Sequence, residues 1–130
     1  MRQAINTTAA PTAIGSYSQA IKTGNTVYFS GQLGLDPATQ NLVAGGVAAQ
    51  ITQVFENLQA VAVAAGGSLA EVMKITVYLV DLTHLALVNE SMSKYFNQPF
   101  PARTSIEVSA LPKGGAVEVE AIMVLNSPSQ

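Results

Sequence analysis

The sequence predicts a single α+β domain in which two helices pack on one face of a mixed β-sheet. Stretches of alternating apolar and polar residues outnumber stretches with apolar residues at helical spacing. Each helical stretch also connects two strand-like stretches, which is typical of an α+β architecture. No low-complexity tract or internal repeat interrupts the chain, so residues 1–130 are expected to form one domain.

The first half of the chain predicts a β-hairpin followed by a long helix. Strands are expected at 16–22 and 26–33, and Gly24-Asn25 between them is a two-residue hairpin signal. Apolar residues then recur at helical spacing over 47–65, which predicts the first helix. Gly66-Gly67 follows and ends this helix, as glycine commonly does just beyond a helical C-terminus.

The second half predicts a short turn, a strand, a helix and two more strands. Ser68 and Glu71 have the spacing of a capping box, which indicates a short helical turn. Residues 73–80 alternate in polarity and predict a strand, and Thr83 is the expected N-cap of a second helix at 84–96. Two alternating strands are expected to close the chain, at 103–110 and 117–125.

The polar turn at 112–115 predicts that the last two strands form an antiparallel hairpin. Pairing back from this turn places Glu107 opposite Glu120, on the same face as Arg103 and Glu118. An ordinary solvated sheet face would show this pattern. Two opposed carboxylates repel, so this face is expected to be either fully solvated or matched by a cationic partner from another chain.

Charge is scarce in this sequence. The 6 Lys and Arg together with the 8 Asp and Glu make up 11% of the chain, and 48% of the residues are hydrophobic. An ordinary soluble domain carries roughly a quarter of charged residues. We therefore expect part of the surface to be buried against other subunits. The net charge of −2 also disfavours nucleic acid as a partner, since that would require clustered Lys and Arg.

The composition excludes several kinds of site. The chain has no Cys and only 1 His, which excludes a Cys/His zinc site, an iron–sulfur cluster, disulfides and a thiol nucleophile. A metal held by carboxylates alone stays open. No apolar run approaches the roughly 20 residues of a membrane span, and the N-terminus lacks the pattern of a secretory signal. A cytoplasmic protein with no membrane partner is the expectation.

Arg103 is the strongest single candidate for ligand binding. It follows the stiff segment 99–102, which contains two prolines, and begins a predicted strand. A guanidinium held rigidly at the start of a strand suits bidentate binding of a carboxylate. Taken alone, however, Arg103 fits an ordinary surface or intersubunit ion pair better.

The C-terminal third also resembles a known family. Pro101-Ala102-Arg103-Thr104-Ser105-Ile106-Glu107-Val108, followed by Leu111-Pro112 and Val117-Glu118-Val119-Glu120-Ala121-Ile122, is similar to the C-terminal signature of the RidA/YjgF family of reactive-intermediate imine deaminases. Further similar stretches lie in order along nearly the whole chain, at 13–19, 30–32, 64–66, 76–78 and 88–89.

The resemblance implies a chorismate-mutase-like α+β fold and a homotrimer whose strands build a central β-barrel, with a site in each cleft between subunits. It implies hydrolysis of 2-imino acids or their 2-enamino tautomers, such as 2-aminoacrylate and 2-iminobutanoate, to 2-keto acids and ammonia. It implies no metal and no organic cofactor.

The resemblance also implies roles for particular residues. Arg103 would hold the substrate carboxylate, and Glu118 would position or activate the attacking water. The backbone around Ser105 and Gly31 would add hydrogen bonds. A carboxylate beside Arg103 would be kept ionised, which suits a base. Tyr17 and Ser30 would line the pocket, and Thr104 would belong to the site as the neighbour of Arg103. Asn89 would have an architectural role.

One departure from the family pattern concerns Ser105, because many members have Cys at this position. Regulation through a thiol is therefore not expected here. Two other functions remain as alternatives. One is a non-enzymatic sensor of 2-keto acids, or a holdase, that uses the same clefts. The other is an endoribonuclease, an activity attributed to relatives, which the acidic charge balance disfavours.

Overall fold

A six-stranded mixed β-sheet with both α-helices on one face forms the fold, in a computed structural model that describes residues 1–126. The sheet order is β1-β2-β3-β6-β4-β5, and only β4 and β5 are parallel neighbours. The predicted α+β class and the placement of the helices are confirmed. In chain order the elements are β1 Gln3–Ile5, β2 Ala20–Thr23, β3 Thr26–Leu33, α1 Gly46–Ala64, β4 Val72–Leu79, α2 Leu85–Tyr95, β5 Ala102–Glu107 and β6 Val117–Val124.

The core lies between the helices and the sheet. Helix α1 buries one stripe of apolar residues, and alternate residues of the central strands meet that stripe, as the two periodicities require. Complete burial of one large apolar side chain stabilises the fold by about 1.5–3 kcal/mol relative to leaving it exposed. No helix among the described residues is long and apolar enough to cross a membrane. The fully buried residues include Val27, Val54, Phe55, Leu58, Val61, Val77, Leu79, Val117 and Val119.

Several elements agree closely with the sequence pattern. Strand β3 has the predicted bounds, and α1 and β4 are each shifted by one residue. In the first hairpin, Thr23 pairs with Thr26, and Gly24 adopts a φ of 60°, which glycine tolerates without steric cost. The Ser68 capping box is present. The Ser68 hydroxyl accepts from the Ala70 N–H, and the Glu71 carboxylate accepts from the Ser68 N–H.

The segment before β2 differs from the prediction, because the strand expected at 16–22 begins only at Ala20. Gly15 has a φ of 108°, which breaks the extended backbone. The buried side chain of Gln19 then holds the preceding loop. Its Nε2 donates to the carbonyls of Thr7 and Pro11 at 3.0 and 2.7 Å, and its Oε1 accepts from the Thr7 N–H at 2.8 Å. Strand β1, which the pattern missed, pairs with β2.

The start of the second helix also differs. A 3₁₀ turn at Leu82–His84, with Asp81 as its N-cap, leads directly into α2, whose own N-cap position is His84 rather than Thr83 and has no side-chain hydrogen bond. The Asp81 carboxylate accepts from both the N–H and the hydroxyl of Thr83, at 3.0 and 2.6 Å. The side-chain cap therefore lies two residues upstream of the predicted one, at the start of the 3₁₀ turn, and Thr83 is a donor to it.

The predicted hairpin of the last two strands is wrong. Strand β4 lies between β5 and β6, so Glu107 pairs with Leu79 and Glu120 pairs with Thr76. The reason is burial: β4 buries an apolar row on the helix side and takes a central place, whereas β5 is mostly exposed and suits an edge. Residues 108–116 are long enough to cross the end of β4, where the Val80 N–H donates to the Ala116 carbonyl.

The face of the sheet away from the helices, called the open face below, is uncovered in a single chain. Tyr28 is 50% exposed and Ile106 is 41% exposed on it. The registers of β3, β4, β5 and β6 assign residues to this face by strict alternation with the buried ones. They include Tyr28, Lys74, Thr76, Tyr78, Ala102, Thr104, Ile106, Glu118, Glu120 and Ile122.

A candidate active site divided between two faces of the sheet

A cavity of about 560 Å³ lies between the loop at 11–17, the end of β3 and the turn at 112–113. Its polar wall contains Glu118 and the β3 residues Ser30 and Gly31, with Tyr17 on the loop side. The rest of the wall is mostly apolar, which is typical of a site for a small organic ligand. The apolar lining includes Pro11, Ala13, Ile14, Leu33, Leu35 and Pro112.

A β-bulge shapes the polar wall of this cavity. Phe29 pairs with Ala121, but the next pair is Gln32 with Val119, so β3 carries one extra residue at 30–31. Bulges are found beside active sites, where they re-aim side chains. The Ser30 hydroxyl donates to the Ser18 carbonyl at 2.5 Å. Ser30 therefore anchors the loop that carries Tyr17.

The bulge also brings Gly31 against the side chain of Glu118. A Cβ at position 31 would lie 2.6 Å from the Glu118 Oε2 and 2.8 Å from its carboxyl carbon. Real Cβ atoms essentially never show such contacts, so a side chain at position 31 would displace the flexible end of Glu118. The carboxylate of Glu118 is thus held beside the Gly31 backbone.

The electrostatic surroundings of Glu118 make it a stronger base than an ordinary glutamate. Burial raises the pKa of its carboxyl above the usual value, and the nearby charge of Glu120 raises that pKa further. The expectation that Arg103 keeps Glu118 ionised is not met within one chain. The reason is that Arg103 is not among the groups that act on the pKa of Glu118.

Arg103 belongs to a second, separate group of residues. Its Nη1 donates to the Asn89 Oδ1 at 2.8 Å, so a residue of α2 orients the guanidinium. Both residues line a cavity of about 480 Å³ that also includes Phe100 and Pro101. Arg103 pairs with the buried Ile75 of β4, which places it on the side of the sheet covered by the helices.

Arg103 and Glu118 therefore lie on opposite faces. Glu118 pairs with Tyr78 on the open face, whereas Arg103 pairs with Ile75 on the other face. Across the sheet they are two strands apart, which is roughly 10 Å, and they are offset by three positions along β6, which is again roughly 10 Å. The prediction that Arg103 shares a face with Glu118 and Glu120 is wrong, because it depended on the hairpin that does not form.

The two neighbours of Arg103 on β5 divide between the faces. Thr104 is exposed and pairs with Thr76 on the open face. Ser105 lies on the same face as Arg103, and its Oγ is buried without a hydrogen-bond partner among the described residues. The site residues implied by the resemblance thus form two groups, one around Glu118 and one around Arg103.

Gln40 is a support that the sequence reasoning missed. Its Oε1 accepts from the Thr12 N–H at 3.0 Å, and its carbonyl accepts from the Lys113 Nζ at 2.7 Å. Gln40 and Lys113 both have left-handed backbone, with φ of 63° and 58°. Thr12 and Lys113 line the larger cavity, so Gln40 joins two of its walls. Turn signals marked these loops, but no sequence pattern indicated their contact.

Asn57 is a second support that the sequence pattern missed. The helical pattern of α1 places Asn57 with the polar residues on the other faces, and that placement is wrong, because Asn57 is fully buried. Its Nδ2 donates to the carbonyls of Leu33 and Leu35 at 3.1 and 3.0 Å, and its Oδ1 accepts from Gln53 at 2.8 Å. Because Leu33 and Leu35 line the larger cavity, Asn57 ties the cavity wall to the core.

Comparison with known proteins gives consistent matches over most of the chain. The family described as endoribonuclease L-PSP matches residues 7–125. A Bos taurus protein named 2-iminobutanoate/2-iminopropanoate deaminase is 48% identical over 124 residues, which are 95% of this chain and 90% of the bovine protein. The Homo sapiens protein of the same name is 44% identical over 124 residues, with coverages of 95% and 90%.

Two solved structures are similar in fold. The crystal structure of RidA from an Antarctic Psychrobacter species superposes with a TM-score of 0.91 at 53% identity, covering 95% of this chain and 99% of that one. The structure of E. coli TdcF with bound serine gives a TM-score of 0.88 at 36% identity, with coverages of 95% and 99%.

Proposed function

The chain belongs to the endoribonuclease L-PSP family, also known as the YjgF/RidA family, and on that premise we infer that it is a 2-iminobutanoate/2-iminopropanoate deaminase. It hydrolyses 2-imino acids, or their 2-enamino tautomers, to 2-keto acids and ammonia. One observation carries this function beyond the family membership. Glu118, a carboxylate of raised pKa, lies against the Gly31 backbone in a largely apolar cavity.

The assembly proposed for this function is a trimer whose open faces form a central barrel. The exposed Tyr28 and Ile106 supply apolar surface for such contacts, and the low charge content fits a buried face. The division of the site between two faces is a functional reason for the trimer. Arg103 of one subunit is proposed to complete the cavity that contains Glu118 of the next, because one chain keeps them on opposite faces.

In this arrangement Arg103 binds the substrate carboxylate. Its planar guanidinium offers paired N–H donors that match the two oxygens of a carboxylate. Asn89 accepts from Nη1 and leaves the other N–H groups for the substrate. The backbone near Ser105 and Gly31 is proposed to add hydrogen bonds, and Thr104, the neighbour of Arg103 on the open face, is proposed to border the same site.

Glu118 acts on the attacking water. The iminium carbon of the substrate is already electrophilic, so water can attack it once the water is oriented and its proton is accepted. Glu118 takes this proton as the C–O bond forms, which gives a tetrahedral carbinolamine. The proton then passes from Glu118 to nitrogen. The freed Glu118 carboxylate accepts the proton of the carbinol hydroxyl as the C–N bond breaks, so that ammonia leaves and the C=O bond of the 2-keto acid forms. Tyr17 and Ser30 border the cavity in which this occurs.

The test is release of ammonia from an imine made in the assay by an amino-acid oxidase. The protein is expected to accelerate release, and Arg103→Ala and Glu118→Gln are each expected to abolish the acceleration. Arg2→Ala and Glu90→Gln are matched controls, since both residues are exposed and lie outside the two cavities. Equal rates with the wild type and with buffer would contradict the proposed function.

Turnover in this assay, together with a binding assay and a nuclease assay, separates the proposed function from the two alternatives. A sensor or holdase would bind 2-keto acids or suppress aggregation of a client without turnover. An endoribonuclease would cleave RNA, which the family description names, although the chain has 6 Lys and Arg against 8 Asp and Glu. A nuclease assay at low salt, where any binding to the phosphate backbone is strongest, is expected to show no cleavage.

A further inference from the structure

Glu120 is a second carboxylate beside Glu118 to which the proposed reaction assigns no role. The two glutamates alternate along β6 and therefore point to the same open face, roughly 7 Å apart by strand geometry. Tyr78 is the cross-strand partner of Glu118, yet its hydroxyl donates to the Glu120 Oε1 at 3.2 Å. Tyr78 thus spans the diagonal between the two carboxylates.

The contact between Tyr78 and Glu120 holds a negative charge in a fixed place. Burial raises the pKa of the Tyr78 hydroxyl, and the charges of Glu120 and Glu118 and the hydrogen bond to Glu120 raise it further. Tyr78 therefore remains a protonated donor, and Glu120 remains its acceptor. A fixed like charge at this distance disfavours ionisation of Glu118 and makes it a stronger base.

We propose that Glu120, fixed by Tyr78, is a positioning residue that acts on the deaminase reaction through Glu118. The proposal rests on the role given to Glu118 above. A carboxylate in the place of Glu120 is useful because the trimer would bring a cationic side chain to the cavity. Arg103 of a neighbouring subunit would favour the ionised form of Glu118 and weaken it as a base, and the charge of Glu120 offsets that effect.

The other groups facing Glu118 do not replace Glu120. Strand β4 contributes Tyr78, the loop at 11–17 contributes Tyr17, and the turn after β5 contributes Lys113, whose Nζ donates to the Gln40 carbonyl. Strands β3 and β5 contribute no titratable side chain beside it among the described residues. On this side β3 has Tyr28, Ser30 and Gly31, and β5 has Ala102, Thr104 and Ile106. Tyr28 and, on β4, Lys74 both pair with Ile122, so they lie beside Glu120 rather than beside Glu118.

The first test is the dependence of kcat/KM on pH for the wild type, Glu120→Gln and the matched control Glu90→Gln. The midpoint of the acid limb is expected to move to lower pH in Glu120→Gln and to stay at the wild-type value in Glu90→Gln. Below the wild-type midpoint, Glu120→Gln is expected to be the faster enzyme. An unchanged midpoint in a folded Glu120→Gln protein would overturn the proposal, even if the plateau rate fell.

Tyr78→Phe is the second variant, and it keeps both carboxylates while removing one hydroxyl. It is expected to move the midpoint in the same direction as Glu120→Gln but less far, because a released Glu120 turns towards solvent. No movement in Tyr78→Phe would show that Tyr78 does not fix Glu120 and would overturn that part of the proposal.

A direct readout keeps this proposal separate from the proposed function. The carboxyl carbon of Glu118 can be titrated by NMR in the wild type and in Glu120→Gln. A titration of Glu118 that is identical in both proteins would overturn the proposal whether or not imines are turned over. A shifted titration in a protein without imine turnover would support the coupling and would overturn the deaminase function instead.

Discussion

The two halves of the proposed site differ in how much of their geometry one chain supplies. Glu118 is half-buried, packs against Gly31 and lies beside a fixed Glu120. Arg103 is exposed on an edge strand, with Asn89 as its one hydrogen-bond partner among the described residues. The base is therefore prepared inside the chain, whereas the group that binds the substrate carboxylate depends on a neighbour to meet it.

The difference follows from where each half stands in the fold. The acidic half is built on β3 and β6, two interior strands whose other face forms the core. Core packing therefore fixes its position. The arginine half is built on β5, which is an edge strand of the sheet formed by residues 1–126 and pairs there with β4 alone. Changes beneath the acidic half should cost stability or catalytic rate, and changes around Arg103 should cost substrate binding.

The largest effect is expected from Asn57→Asp, which breaks the support of the acidic half. The new oxygen would face the carbonyls of Leu33 and Leu35 in a fully buried place. Two lost donors and a buried charge should cost at least about 3 kcal/mol of unfolding free energy. Urea unfolding measures this loss. Gln59→Glu, the same chemical change at an exposed position of α1, is the control. Equal midpoints for the two variants would contradict the prediction.

Gly31→Ala should damage the acidic half without unfolding it. The added methyl would displace the flexible end of Glu118, which lies 2.6 Å from the new Cβ. We expect kcat to fall roughly 100-fold, about 2.7 kcal/mol of barrier, with little change in KM. Kinetics of imine hydrolysis measure this split.

Gly24→Ala is the matched control for Gly31→Ala. Nothing lies within 4 Å of its added Cβ, but its φ of 60° is left-handed. It should therefore cost about 1–2 kcal/mol of stability and leave kcat unchanged. A Gly31→Ala enzyme with the wild-type kcat would show that the position of Glu118 does not matter.

Asn89→Ala tests the arginine half, and its effect should be smaller. Arg103 would keep its charge and lose the acceptor of its Nη1. We expect kcat/KM to fall roughly tenfold, about 1.4 kcal/mol, mainly through KM. Asn89→Asp should be worse than Asn89→Ala, because a carboxylate there competes with the substrate for Arg103. A fall in kcat at constant KM would contradict the division of roles between the halves.

The sequence pattern predicted those parts of the fold that depend on local periodicity. Strand β4 and helix α1 carry long apolar rows, and both were found within one residue of their bounds. The order of the strands depends on contacts between distant segments. Residues 108–116 read as a hairpin turn, and only the burial of β4 explains why that strand lies between β5 and β6.

The site was predictable in its residue types and not in its geometry. Resemblance to a family named Arg103, Glu118 and Gly31, but the alternation of residues along β5 could not reveal on which face Arg103 lies. Gly31, a glycine inside the β3 pattern, is the mark that the bulge leaves in the sequence, but it does not show how the pairing with β6 shifts or which side chain approaches the glycine. Such features are set by strand register, which one sequence does not specify alone.

The smallest effect is expected from Glu118→Gln on stability, and its sign separates a functional residue from a structural one. In the folded chain the pKa of Glu118 is raised by burial and by Glu120, so ionisation above that pKa costs stability. The variant should therefore be slightly more stable than the wild type at neutral pH. The gain should disappear as pH falls below the ordinary glutamate value, where the carboxyl is neutral in both states. Thermal unfolding at the two pH values measures it, with Glu90→Gln as the control. A loss of stability in Glu118→Gln at neutral pH would contradict the prediction and mean that the Glu118 carboxylate supports the fold. A gain means that the carboxylate lowers the stability of the fold and is retained for the reaction.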